Sequence, residues 1–342
     1  MFHRAIHTCL TGLVCVLALA SAAVAAPQVA VIIDGKKGAS DNALDTPFGI
    51  DFDDKGNAYI AEFDGGRIHK LDTAGKLTHV SGDGSKSYKG DGGAFAKATY
   101  NGMHNLAVTP EGDIYIADTW NCVIRKVDHK AGVITTIAGT GEKGFSGDGG
   151  PATKATFNGT FCVSLSPKHD LVIITDLGNR RVRVVNLKTG AVDTVAGNGQ
   201  RGVPKDGAVA TESPLADPRA AAMDSKGNIY VLERGGHALR VVTLDGKIRT
   251  VVGGSGKKGK DDGDVNGSTM NGPKHLCVDH DDNVIIADAE NNLIRKYDAK
   301  AGKLSTLDIK GLARPHGVTV HRDGSLWVVD SYNHRILKVT GH

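Results

Sequence analysis

Aromatic side chains make up only 5% of the 342 residues. A cleft that grips sugars by ring stacking needs more platforms than that. Cysteine is scarcer: five in all, of which Cys9 and Cys15 fall in the first 26 residues. The three that follow, Cys122, Cys162 and Cys277, are an odd number, which argues against a disulfide scaffold. Net charge is +3, too small to make nucleic acid or an anionic membrane the main partner. No sustained helical periodicity follows residue 27. No apolar run after that point is long enough to cross a bilayer. A Gly-x-Ser-x-Gly elbow and a His-Glu-x-x-His motif are both absent.

Residues 1–26 read as a secretory signal. His3, Arg4 and His7 give a weakly basic start, Leu10 to Ala20 is apolar, and "SAAVAA" supplies small residues for cleavage near Ala25 or Ala26. Export to the periplasm or the extracellular space is expected, with a mature chain of 27–342.

That mature chain is rich in glycine (45 residues) and in short β-branched runs broken by Gly, Asp and Asn, which predicts an all-β fold. It also repeats. "SYKGDGGAFAKATYNG" (87–102) returns as "GFSGDGGPATKATFNG" (144–159). Around these strings lie six copies of a unit of three strands, usually followed by a fourth. The cores lie near 47–80, 103–139, 160–197, 218–253, 273–309 and 315–340. Four antiparallel strands repeated six times make a six-bladed β-propeller, because one such sheet buries both faces only against its neighbours. The last unit lacks its fourth strand. "VAVIIDG" (29–35) resembles the missing piece and is expected to complete blade 6, closing the ring. The Gly-Asp-Gly-Gly strings become the joints between blades, with Gly taking the tight turns. Calcium binding there is disfavoured, since the acids lack the spacing of a calcium loop.

"GDIYIADTWNCVIRKV", "GNIYVLERGGHALRVV" and "GSLWVVDSYNHRILKV" resemble NHL repeats, and the units cover nearly the whole mature chain. The resemblance implies a six-bladed NHL propeller. It does not fix a function, because NHL propellers serve as binding modules and as enzymes.

Two columns of residues are expected at the face carrying the joints. The acid that ends the second strand recurs in every unit: Glu62, Asp118, Asp176, Glu233, Asp288 and Asp330. Such constancy suits a carboxylate accepting backbone N–H bonds in its own loop. The residue that opens the first strand varies: Phe48, His104, Phe161, Arg219, Lys274 and His316. Asn105, Cys162 and His275 sit next to that column. A ring of His104, Arg219, Lys274 and His316 would focus positive potential on the channel mouth and suit an anionic small molecule. The remaining aromatics gather there too, with Phe48, Phe161, Trp120 and Tyr332 on the same face. The expected ligand-binding set is Phe48, Asn105, Trp120, Phe161, Arg219, Lys274 and His275.

A catalytic alternative comes from a second resemblance. "RPHGVTV" at His316 and "GMHNLAV" at His104 are similar to the Pro-His strings that hold the zinc of peptidyl-hydroxyglycine amidating lyase, an NHL propeller enzyme. That family's third histidine falls on Arg219, which cannot ligate zinc. The resemblance implies a metal, Zn or Ca, on His104 and His316 with an acid such as Asp118, an anion-binding Arg219, and Tyr332 as acid/base. In the six-bladed regucalcin and gluconolactonase family, one Ca²⁺ sits on Glu, Asn and Asp, which Glu62, Asn105 and Asp288 would imitate. Cys162 beside His104 reads as packing rather than as a nucleophile. The leading expectation is a secreted, monomeric binding platform for a protein or an anionic small molecule. The alternative is a metal-dependent lyase or hydrolase.

Overall fold

A computed structural model describes residues 26–35 and 44–342; apart from Ala26, the expected leader lies outside them. Six antiparallel sheets form one ring. The inner strands are Pro47–Phe52, Met103–Val108, Thr160–Leu165, Pro218–Met223, His275–Val278 and Gly317–Val320. Helical structure among the described residues is confined to single 3₁₀ turns. No helix among them is long and apolar enough to cross a membrane.

The chain closes as the repeat predicts. Strand Gln28–Asp34 pairs antiparallel with Arg335–Thr340, Gln28 facing Thr340 and Asp34 facing Arg335. It is the outermost strand of blade 6, beyond Arg335–Thr340, Leu326–Asp330 and Gly317–Val320. Side chains alternate along each inner strand. Ile50, Leu106, Val163, Ala221, Leu276 and Val318 are buried between blades, so their neighbours on either side point to the channel.

The joints do more than connect. Those leading into blades 2 to 5 swing back over the outer edge of the blade that follows. Gly150–Pro151 pairs with Ala191–Ala196, and Ala208–Val209 with Lys247–Val252, as short fifth strands. Single bridges do the same in blades 2 and 5, Ala94 to Val133 and Gly263 to Leu304. An otherwise open edge is thereby covered. The turn is tight: Gly147 has φ +94°, and a Cβ there would lie 2.6 Å from that of Ala155.

The joint aspartate then reaches a buried arginine. Asp148 Oδ1 accepts from Arg183 Nε (3.1 Å) and Nη2 (2.7 Å), and Asp262 Oδ1 from Arg295 Nη2 (2.7 Å). Asp91 lies 3.5 Å from Arg125 Nε. These arginines stand on the third strands and are fully buried. On their other side is the constant acid column. Asp288 Oδ2 accepts from Arg295 at 2.9 Å, Glu233 Oε2 from Arg240 at 2.8 Å, and Asp118 lies 3.7 Å from Arg125. The joint acids are thus lids on a buried cation, which accounts for the repeated Gly-Asp-Gly-Gly string. Asp148→Ala is expected to cost about 1.5–3 kcal/mol, the loss of a charge-assisted bond to a buried group. Thermal melting against Asp245→Ala, an exposed acid, checks it.

Candidate functional site

The constant acids serve the backbone in all six blades. Each carboxylate accepts the N–H of a residue 17 positions earlier (18 in blade 3), where the chain enters its inner strand: Asp45 to Glu62, Asn101 to Asp118, Asn158 to Asp176, Ala216 to Glu233, Asn271 to Asp288 and Ala313 to Asp330, all at 2.6–2.8 Å. Asp118 also takes the Asn121 amide at 2.9–3.0 Å, and burial pushes its carboxyl up to about 6. Both its oxygens are thus engaged within the blade, which weighs against Asp118 as a third metal ligand.

The variable column does converge. Phe48, His104, Phe161, Arg219, Lys274 and His316 meet in one layer, each between 4% and 8% exposed. They form a packed collar across the channel rather than an open ring. Phe48 stacks on the His316 ring with centroids 3.8 Å apart and meets His104 at 5.4 Å. Phe63, from the loop above, packs on Phe48 at 4.6 Å. Phe161 packs on His104 at 4.5 Å and lies under the Arg219 guanidinium at 4.8 Å. Trp120 and Tyr332 stand above the collar, 43% and 51% exposed.

Both collar histidines are anchored through Nδ1. His104 Nδ1 lies 3.0 Å from the Gly102 carbonyl, and His316 Nδ1 lies 2.9 Å from the Arg314 carbonyl. A carbonyl requires Nδ1 to carry the proton, which leaves each Nε2 with a free lone pair. Burial, with the Arg219 charge next, holds both rings well below the ordinary imidazole range, so they are neutral at pH 7. Two such nitrogens suit a metal in kind. Among the described residues, however, no cluster of three or more His, Cys, Asp or Glu is placed to hold an ion.

The collar cations differ in their partners. Lys274 Nζ sits 2.9 Å from Glu290, which also takes Arg314 at 2.6 Å. Arg314 donates in turn to the Tyr332 hydroxyl at 2.5 Å. Lys274 and Tyr332, expected as an anion ligand and an acid/base, are therefore tied into one rim network. Arg219 is different. Its recorded hydrogen bond goes from Nη1 to the Phe161 carbonyl at 3.4 Å, and no carboxylate among the described residues forms an ion pair with it. Burial pulls its guanidinium down to about 9, so it remains charged at pH 7.

Directly below the collar, Asn105 and His275 meet across the ring, Nδ2 to Nε2 at 2.7 Å. They come from blades 2 and 5. Expected as ligand contacts at the mouth, they instead bar the channel beneath it. Close packing at this level leaves no room for side chains elsewhere: a Cβ on Gly317 would lie 2.4 Å from the Phe48 carbonyl oxygen. Cys162 is buried, and burial pushes its thiol up to about 11, which bears out packing over nucleophilicity. All three described cysteines are free.

On the other side of the bar lies a cavity of about 570 Å³. Asp51, Ser164, Cys277 and Thr319 line it, with Asn105 and His275 as its roof. The sequence reading did not place a site here. The signal was available, since the third channel-facing position varies as much as the first: Asp51, Ala107, Ser164, Ala222, Cys277, Thr319.

Residues 312–339 match the NHL repeat family, and residues 14–128 match the teneurin NHL domain. This is an NHL-repeat propeller. Its sequence is 26% identical over 290 residues to Protein SUPPRESSOR OF QUENCHING 1 of Arabidopsis thaliana, covering 80% of this chain and 27% of that one. It is 25% identical over 310 residues to NHL repeat-containing protein 2 of Gallus gallus, covering 77% and 42%. The chain thus spans less than half the length of these relatives. A streptogramin B lyase structure superposes with a TM-score of 0.57 at 15% identity, covering 94% of this chain and 99% of that one; at that identity the likeness is one of fold. The NHL propeller places its variable residues in the channel, and its constant ones in the walls.

Proposed function

We propose that this NHL propeller is an exported binding platform that takes an anionic group at its collar. The observation that carries this reading is Arg219. A guanidinium that is 4% exposed and has no acid partner among the described residues is an uncompensated charge there, and a bound carboxylate or phosphate would compensate it. Around it stand the Nε2 atoms of His104 and His316, which donate to an anion once they take up a proton. The rings of Phe161 and Trp120, edge-on at 5.3 Å, offer an apolar wall for the rest of the ligand. A protein partner would present the same anion on an Asp, a Glu or a C-terminus. The metal-dependent lyase or hydrolase reading needs a metal, and no third protein ligand stands with His104 and His316 among the described residues.

Titration calorimetry with benzoate, gluconate and glucose 6-phosphate, on the parent and on Arg219→Gln, tests the reading. Saturable binding of at least one of these anions, lost in the variant, supports it; binding indifferent to Arg219 overturns it.

Binding should also take up protons. An anion beside His104 and His316 raises their affinity for protons, which is low in the free protein. Affinity is therefore expected to rise as pH falls from 8 towards 5, by up to about tenfold per unit for each proton taken up. Calorimetry in two buffers of different ionisation enthalpy reads that uptake directly.

A further inference from the structure

We propose a second ligand site, beyond the collar and independent of it: the cavity below the Asn105–His275 bar takes a small organic amine, its ammonium on Asp51 and its apolar part against Ala107, Ala222 and Met223.

Three observations carry the assignment. The first is the shape: about 570 Å³ of space, with the bar as its roof, is the size of a small-molecule pocket. The second is Asp51. Its Oδ2 accepts the Val108 N–H at 2.8 Å and its Oδ1 the Thr319 hydroxyl at 3.4 Å. No cation among the described residues forms an ion pair with it. Three other acids of this end, Asp53, Asp279 and Asp282, are engaged locally. Asp53 takes the N–H groups of Lys55 and Asn57, Asp279 those of Asp281 and Asn283, and Asp282 takes Lys226 at 3.3 Å. Burial pushes the Asp51 carboxyl up to about 6, so it is mainly ionised at pH 7 and gains from a cation beside it.

The third observation is the direction of the hydroxyl protons. Ser164 donates to the Ala221 carbonyl at 2.8 Å and Thr319 donates to Asp51. Both hydroxyls therefore turn lone pairs, not protons, to the cavity. With Asp51 they form a wall that accepts hydrogen bonds. That wall fits a donor such as an ammonium and disfavours an anion. Methyl-sized side chains at Ala107 and Ala222 leave the space for the ligand's apolar part.

The experiment compares 2-phenylethylamine with 2-phenylethanol, which share a shape and differ in charge, by NMR titration of the full chain. Preference for the amine by at least tenfold, and loss of that preference in Asp51→Asn, is expected. Equal binding of the two, no saturable binding of the amine, or an unchanged preference in Asp51→Asn overturns the proposal. If Asp51→Asn fails to fold, Ala222→Leu fills the cavity while leaving Asp51 in place. Amine binding should then fall at least tenfold, and retained binding overturns the assignment.

Discussion

Replacing Arg240 by Met lowers the stability of the propeller by about 3–5 kcal/mol, the cost of leaving one member of a buried ion pair behind. Glu233 is fully buried. Its Oε1 accepts the Ala216 N–H at 2.6 Å, and its Oε2 accepts Arg240 Nε at 3.0 Å and Nη2 at 2.8 Å. Without the guanidinium, a buried carboxylate keeps a single backbone donor. Urea unfolding followed by circular dichroism measures the loss, with Lys247→Met on the exposed outer strand as control. Removing the charge on both sides, in Glu233→Gln/Arg240→Met, should recover part of it, because the Gln amide still accepts from Ala216 and no unpaired charge remains. Loss in the double variant as large as the sum of the two single losses would mean that the pair is not coupled.

The second large effect concerns affinity. Arg219→Gln is expected to weaken anion binding about 10–100-fold, the worth of a charge-assisted hydrogen bond in a recessed site. The same change removes a buried cation with no carboxylate partner among the described residues, so the ligand-free variant should melt at the same temperature as the parent or higher. Reduced affinity without reduced stability separates a ligand anchor from a residue that merely holds the collar together. A variant that binds as the parent does and melts lower would mark Arg219 as structural.

Much of the fold was readable before any coordinates. Repeats placed the strands and the ring closure, since the acid ending each second strand keeps the units in register. The reading of that acid as a backbone acceptor also held. What escaped was its other partner. "IRKV", "VRVV", "LRVV" and "IRKY" carry an Arg on an otherwise apolar third strand. Only the ring of sheets shows that Arg125, Arg183 and Arg295 reach the joint aspartate of their own blades, while Arg240 turns to Glu233 and Thr250. The collar was foreseen as a meeting of six variable residues. Its packing was not, because periodicity gives the direction of Phe48 but not that its ring lies flat on His316. The cavity was not legible for a simpler reason: periodicity turns Asp51 to the channel but does not show that small Ala107 and Ala222 at its level leave space beside it.

The clasp of each joint over its own blade bears on how the ring assembles. In blade 3 the contacts that complete the unit run from Asp148 to Thr194, fewer than 50 residues apart in the chain, and blades 2, 4 and 5 are built likewise. Such units close over short loops and form fast. One pairing breaks that economy of distance, Val29 with Val339 in blade 6. It joins segments some three hundred positions apart and has no local substitute. Assembly of the propeller is therefore expected to end at the seam, once both ends of the ring exist.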